Sequence, residues 1–120
     1  MAATLLIVDD HAGFRMFART LLEAGGLVVV GEAGDGATAL AEAGRLDPDV
    51  VLLDVMLPDL DGFEVCARLV GDGADRPAVV LTSSRDAASY RDRLAATAAR
   101  GFLAKESLSA RAILDLAGHP

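Results

Sequence analysis

The stretch that decides the fold is LLIVDDHAGF, residues 5–14. Four apolar residues, Leu5 to Val8, end abruptly on two adjacent acids, Asp9 and Asp10, and residues with helical spacing follow. An uninterrupted apolar run of this length reads as a strand covered on both faces, which is the habit of parallel sheets. The next residues confirm a switch of period. Phe14, Phe17, Ala18, Leu21 and Leu22 fall at i, i+3, i+4, i+7 and i+8, one stripe of a helix. A buried strand that ends by stacking two like charges requires something to oppose their repulsion.

The same alternation continues along the chain. Apolar runs at Thr4–Val8, Leu27–Val30, Val50–Leu53, Val79–Leu81 and Gly101–Ala104 predict five strands. Between them lie helical stripes: Phe63, Cys66, Ala67 and Val70; then Ala87, Tyr90, Leu94 and Ala98; then Ala110, Ile113, Leu114 and Ala117. The Ala-rich stretch 37–44 carries a weaker stripe anchored on Leu40. Gly25-Gly26 and Gly71 supply helix ends, Asp35 and Ser107 supply N-caps, and Pro48 and Pro77 sit just ahead of strands. The pattern is (βα)5. Right-handed crossovers then give an α/β, flavodoxin-like, doubly wound parallel sheet, for which the common strand order is 2-1-3-4-5. The 120 residues make one domain, spanning 1–120.

Composition narrows the function. The net charge of −7 argues against direct nucleic-acid binding, which wants a basic face. One cysteine, Cys66, excludes an internal disulfide and a cysteine metal cluster, and its place on a helical stripe marks it as core. No basic leader or membrane-length apolar run is present, so a cytoplasmic protein with no membrane contact is expected.

In a doubly wound sheet the functional crevice lies beyond the carboxyl ends of the strands. Those ends carry Asp9 and Asp10, then Asp54 after DVVLLD, then Thr82, Ser83 and Ser84, then Lys105 after GFLA. Three carboxylates gathered there cannot all stay ionised unaided: either one pKa rises sharply or a cation sits between them. Magnesium, with its preference for oxygen ligands, suits such a place. Lys105 is the only lysine in the chain, a compact charge suited to a phosphate oxygen. Acids, a hydroxyl and a lysine together describe a place to hold a phosphoryl group, whose transfer needs mainly positioning and charge neutralisation.

These residues resemble the receiver domains of two-component response regulators. The resemblance covers essentially the whole chain and is carried by VDDH (8–11), LLDVMLPDLDG (52–62), LTSS (81–84) and GFLAK (101–105). It implies that Asp54 is the phosphoacceptor, and that Asp10 with Asp9, Asp54 and the backbone carbonyl of Met56 hold Mg2+. It further implies that Lys105 contacts the phosphoryl group, Thr82 is the switch hydroxyl and Phe102 is the switch aromatic. The implied partner is a sensor histidine kinase or histidine phosphotransfer protein, with homodimerisation on phosphorylation as a further implication. The implied activity is a signalling switch with Mg-dependent autophosphorylation and autodephosphorylation rather than a turnover enzyme. Glu106 departs from the family's usual proline after the lysine.

Taken singly, each residue has a plainer reading. Asp9 and Asp10 fit a helix cap, Thr82 an ordinary strand residue and Lys105 a solvated lysine; their common register argues otherwise. His11 reads as first-turn surface, and Arg91, Arg93 and Arg100 as a solvated face. An aspartyl-nucleophile phosphatase would want a second acid where Met56 stands. A mononucleotide binder would want a Gly/Ser-rich loop where DDHAGF stands. A degenerate receiver acting as a docking module is the alternative that the intact acids, hydroxyl and lysine disfavour. With LAGHP closing the sequence, a stand-alone receiver is expected over an excised piece of a DNA-binding regulator.

Overall fold

The computed structural model describes residues 2–71 and 77–118. Five strands alternate with five helices: β1 (Thr4–Val8), α1 (Ala12–Ala24), β2 (Val28–Ala33), α2 (Gly36–Leu46), β3 (Val50–Asp54), α3 (Gly62–Val70), β4 (Ala78–Ser83), α4 (Arg91–Ala96), β5 (Gly101–Ala104) and α5 (Ala110–Ala117). Short 3-10 turns precede α4 (Ala87–Tyr90) and follow β5 (Lys105–Ser107). All neighbouring strands pair in parallel, in the order 2-1-3-4-5.

The unbroken apolar runs have the expected cause: both faces of the sheet are covered. Leu5, Ile7, Leu52 and Val80 pack on one face against Ala18 and Leu22 of α1 and Ile113 of α5. Leu6, Val8, Val51, Leu53 and Leu81 pack on the other against Ala39 of α2 and Val65 and Cys66 of α3. Most of these side chains are fully buried, each contributing ~1.5–3 kcal/mol of transfer free energy. Cys66 is core, as its stripe implies. No helix among the described residues is long and apolar enough to cross a membrane.

Four local expectations are corrected. Strand β2 runs on through Gly31 and Glu32, residues that resemble a turn. It does so because Gly31 admits Leu46 where a Cβ would come within 2.7 Å of its Cδ1, and because Glu32 is paired with Arg15 and Arg19 of α1. Helix α2 continues past Gly44 to Leu46 and ends on Asp47, in the left-handed region at φ 47°, just before Pro48. The N-cap of α5 is Ser109, whose Oγ accepts from the Ala112 N–H at 3.1 Å, and not Ser107. Buried Leu108 holds the chain extended between the two serines, so the helix starts later. The stripe over Ala87–Ala98 is not one helix. The α-helical part stops at Ala96, and Thr97 turns inward to place its hydroxyl 3.7 Å from the Cys66 sulfur. Asp35 caps α2 as expected, accepting from the Thr38 N–H at 2.7 Å.

Candidate functional site

The carboxyl ends of β1, β3, β4 and β5 meet at one edge of the sheet. Register fixes the arrangement: Asp54 pairs with Thr82, Thr82 with Leu103, and Val8 with Leu53. Asp9, Asp54 and Thr82 thus stand side by side, and Lys105 follows the end of β5.

Asp9 is fully buried and Asp54 is 5% exposed. Lys105 lies between them, with its Nζ 2.6 Å from Asp9 Oδ2 and 2.8 Å from Asp54 Oδ2. The same ammonium sits over the Phe14 ring, 4.3 Å from its centroid. Other bonds fix the carboxylates. Asp54 Oδ1 accepts the Met56 N–H at 2.9 Å, and Asp9 Oδ1 accepts the His11 N–H at 2.8 Å. Arg15 holds the main chain here by donating to the Asp9 carbonyl at 2.6 Å. The loop after Asp54 closes tightly through the Gly62 N–H, which donates to the Val55 carbonyl at 2.7 Å. A Cβ on Gly62 would strike the Asp54 carbonyl and approach the Val55 Cα to 2.6 Å.

One lysine among three acids does not balance them. Burial pushes the Asp54 carboxyl up from 3.8 to about 6, with the hydrogen bond shared with Asp9 adding to the rise; Lys105 and the Met56 N–H pull the other way. For Asp9, burial also acts upward, but the shared bond with Asp54, Lys105 and the His11 N–H outweigh it and hold the carboxyl below 3.8. For Lys105, burial acts downward and is overcome by the two carboxylates, so its pKa is raised. The pair therefore settles its repulsion by leaving Asp54 as the easier of the two to protonate.

A cavity of about 270 Å3 opens onto these groups, lined by Asp10, His11, Asp54, Met56, Ser83 and Lys105 among others. Asp10 is more exposed than its neighbour and faces this opening. The Met56 side chain is 61% exposed at the rim. Thr82 is fully buried, and its Oγ1 has no hydrogen-bond partner among the described residues. A buried hydroxyl left unsatisfied costs ~1–3 kcal/mol, and this one lies beside Asp54. Phe102 is level with Leu81 rather than Thr82, and its ring packs 5.9 Å from that of Tyr90.

The structure thus brings together Asp9, Asp10, Asp54, Met56, Thr82 and Lys105, with Phe102 one register step below. The reading of His11 as surface holds for its exposure at the N-cap of α1 but does not foresee its contact with the acid pair. Its ring is exposed, yet Nδ1 lies 3.1 Å from Asp9 Oδ1 and 3.0 Å from Asp10 Oδ1. Asp9, Asp10 and His11 each offer a ligand atom within 4.8 Å of the others. The Phe14 ring over Lys105 and the Tyr90 hydroxyl on Ser83 were missed too, and no sequence spacing announces either contact. Arg93 departs from a merely solvated face, pairing with Asp61 at 2.6 Å and lying over the Phe63 ring.

Comparisons with known proteins identify the family and the fold. The model of the response regulator receiver domain matches residues 5–116. The nitrate/nitrite response regulator protein NarP of Escherichia coli is 43% identical over 104 residues, covering 86% of this chain and 48% of that protein. Response regulator MprA of Mycobacterium tuberculosis is 44% identical over 91 residues, covering 76% of this chain and 39% of that protein. The chain spans about half the length, or less, of these curated relatives. Among solved structures, the signal receiver domain of NarL from Mycobacterium tuberculosis superposes with a TM-score of 0.86 at 35% identity, covering 99% of this chain and 98% of that one. The chemotaxis response regulator CheY4 of Vibrio cholerae gives 0.79 at 25% identity, covering 96% and 95%. A family model matched over nearly the whole chain, the shared sheet order and the acids, hydroxyl and lysine at its strand ends lead to one conclusion: the chain belongs to the response regulator receiver domains of two-component signal transduction.

Proposed function

We propose that this domain accepts a phosphoryl group on Asp54 from a histidine-phosphorylated partner, either a sensor kinase or a phosphotransfer protein. The observation that carries the reading is the setting of the Asp54 carboxylate. It is buried at the end of β3, opens into the cavity and lies 2.8 Å from the ammonium of Lys105. In the transfer, the phosphorus–nitrogen bond of the donor imidazole breaks as an Asp54 oxygen bonds to phosphorus. The imidazole leaves with the electron pair. Lys105 then shifts its charge from a bare carboxylate to a phosphoryl oxygen, and the unsatisfied Thr82 hydroxyl gains an acceptor.

Asp10, Asp54 and the Met56 carbonyl would hold Mg2+, with Asp9 supporting. The residues fit: the donors are hard oxygens, and the raised pKa of Asp54 marks negative charge that a divalent cation relieves. When bound, the ion neutralises phosphoryl oxygens during transfer. The same site hydrolyses the aspartyl phosphate, so the domain is a switch acting in the cytoplasm. Its output passes to partners, or to the further length of protein that its relatives possess.

A small phosphodonor with Mg2+ should add one phosphoryl mass to the domain, and EDTA should prevent it. Asp54→Asn should abolish the gain. Full labelling of that variant would refute the assignment.

A further inference from the structure

Ser83 follows Thr82 at the end of β4. It is 2% exposed and lines the cavity with Asp54 and Lys105. Its Oγ accepts the Arg85 N–H at 3.1 Å and lies 2.9 Å from the Tyr90 hydroxyl. A serine hydroxyl has one proton and two lone pairs. Arg85 fills one lone pair. The bond to Tyr90 can then run in either direction. In one polarity Ser83 donates to Tyr90 and has no proton to spare. In the other, Tyr90 donates to Ser83, and the Ser83 proton is free to turn toward an anion in the cavity. The heavy atoms need not move between the two.

Tyr90 occupies a sensitive place. It ends the 3-10 turn ahead of α4, and its ring lies between those of Phe63, at 6.0 Å, and Phe102, at 5.9 Å. Its hydroxyl is therefore the polar tip of an aromatic row that reaches β5. A phosphoryl group adds strong acceptor oxygens at Asp54 and gives the cavity a preference for the polarity in which Ser83 points inward. Thr82 differs, since among the described residues its hydroxyl has no partner to release.

We propose that Ser83 is a second hydroxyl donor to the phosphoryl group on Asp54, and that Tyr90 is the positioning residue whose hydroxyl reverses direction to free the Ser83 proton. No bond is made or broken; two O–H bonds rotate. The inference rests on the phosphoacceptor reading above and adds a route from the site to the aromatic row through Ser83.

The sequence provides its own probe. Tyr90 is the single tyrosine, and there is no tryptophan. Incorporation of 3-fluorotyrosine into the full chain therefore puts one 19F nucleus at Tyr90 and nowhere else. The chain is titrated with beryllofluoride, a phosphoryl mimic, in Mg2+, and both the bound-fluoride signals and the Tyr90 signal are followed. The Tyr90 resonance should shift on saturation in the wild type and stay in place in Ser83→Ala. Ser83→Ala should weaken beryllofluoride affinity about tenfold, the loss expected for one hydrogen bond to an anion. Tyr90→Phe keeps the ring contacts and removes the acceptor that competes for the Ser83 proton, so it should bind beryllofluoride at least as tightly as wild type. If bound fluoride appears while the Tyr90 signal stays still, if Ser83→Ala binds as tightly as wild type, or if Tyr90→Phe loses as much affinity as Ser83→Ala, the inference is overturned and the phosphoacceptor reading stands. If wild type shows neither bound fluoride nor a mass gain with a phosphodonor, that reading fails and takes this one with it.

Discussion

At the scale of single residues, Asp9 and Asp54 answer the question raised by a strand ending in adjacent acids. Two buried carboxylates share one lysine, and the remaining imbalance falls on Asp54. The sign of its effect on stability follows from the direction of the shift. Below the unfolded value of 3.8 Asp54 is protonated in both states and costs nothing. As pH rises through about 6 the folded protein must bury the charge, so stability is lost over that interval and stays lost above it. The rise from 3.8 to about 6 corresponds to ~3 kcal/mol. Asp9 acts the other way: its lowered pKa gives stability above 3.8 that is lost as pH falls through the folded value. Urea unfolding in EDTA should therefore show Asp54→Asn equal to wild type near pH 4 and more stable by up to ~3 kcal/mol near pH 7. A difference independent of pH would contradict the account.

At the scale of elements, agreement between sequence and structure depends on whether a decision is local. β1 and β3 read correctly because their apolar runs are unbroken and their ends are marked by acids. The apolar run of β2 stops at Val30 because Gly31 and Glu32 carry turn-like chemistry, while the partners that keep them in the strand, Leu46, Arg15 and Arg19, lie on helices distant in sequence. The end of α4 is set by Thr97 reaching Cys66, thirty-one residues back. The start of α5 turns on a choice between two serines two residues apart, which only the burial of Leu108 settles. This choice is testable. Ser109→Ala should cost ~1 kcal/mol as a lost N-cap, whereas Ser107→Ala should change the urea midpoint little. The reverse order would restore the sequence-based placement. The site was more legible than these boundaries because topology alone carries strand ends to one edge. The His11 ring over both acids, the Phe14 ring under Lys105 and the Tyr90–Ser83 bond depend on side-chain geometry that spacing does not encode.

At the scale of the whole molecule, the fold stores unfavourable charge at one sheet edge and is held by two apolar layers that do not depend on it. Ligands that relieve the charge should stabilise the whole domain. Binding to the native state alone adds about 2.7 kcal/mol at a hundredfold excess over Kd. Millimolar Mg2+ should thus raise the melting temperature of wild type, and Asp10→Ala should gain less; an unchanged melting temperature in wild type would speak against a preformed cation site. The central claim is that Asp54 carries the phosphoryl group, and it is tested most directly by locating the modification chemically. After labelling with a small phosphodonor in Mg2+, borohydride reduction converts an aspartyl phosphate to homoserine, and peptide mass spectrometry reads its position. The account predicts homoserine at position 54 and at no other acid. Homoserine at Asp9 or Asp10, or full labelling that yields none, would contradict it.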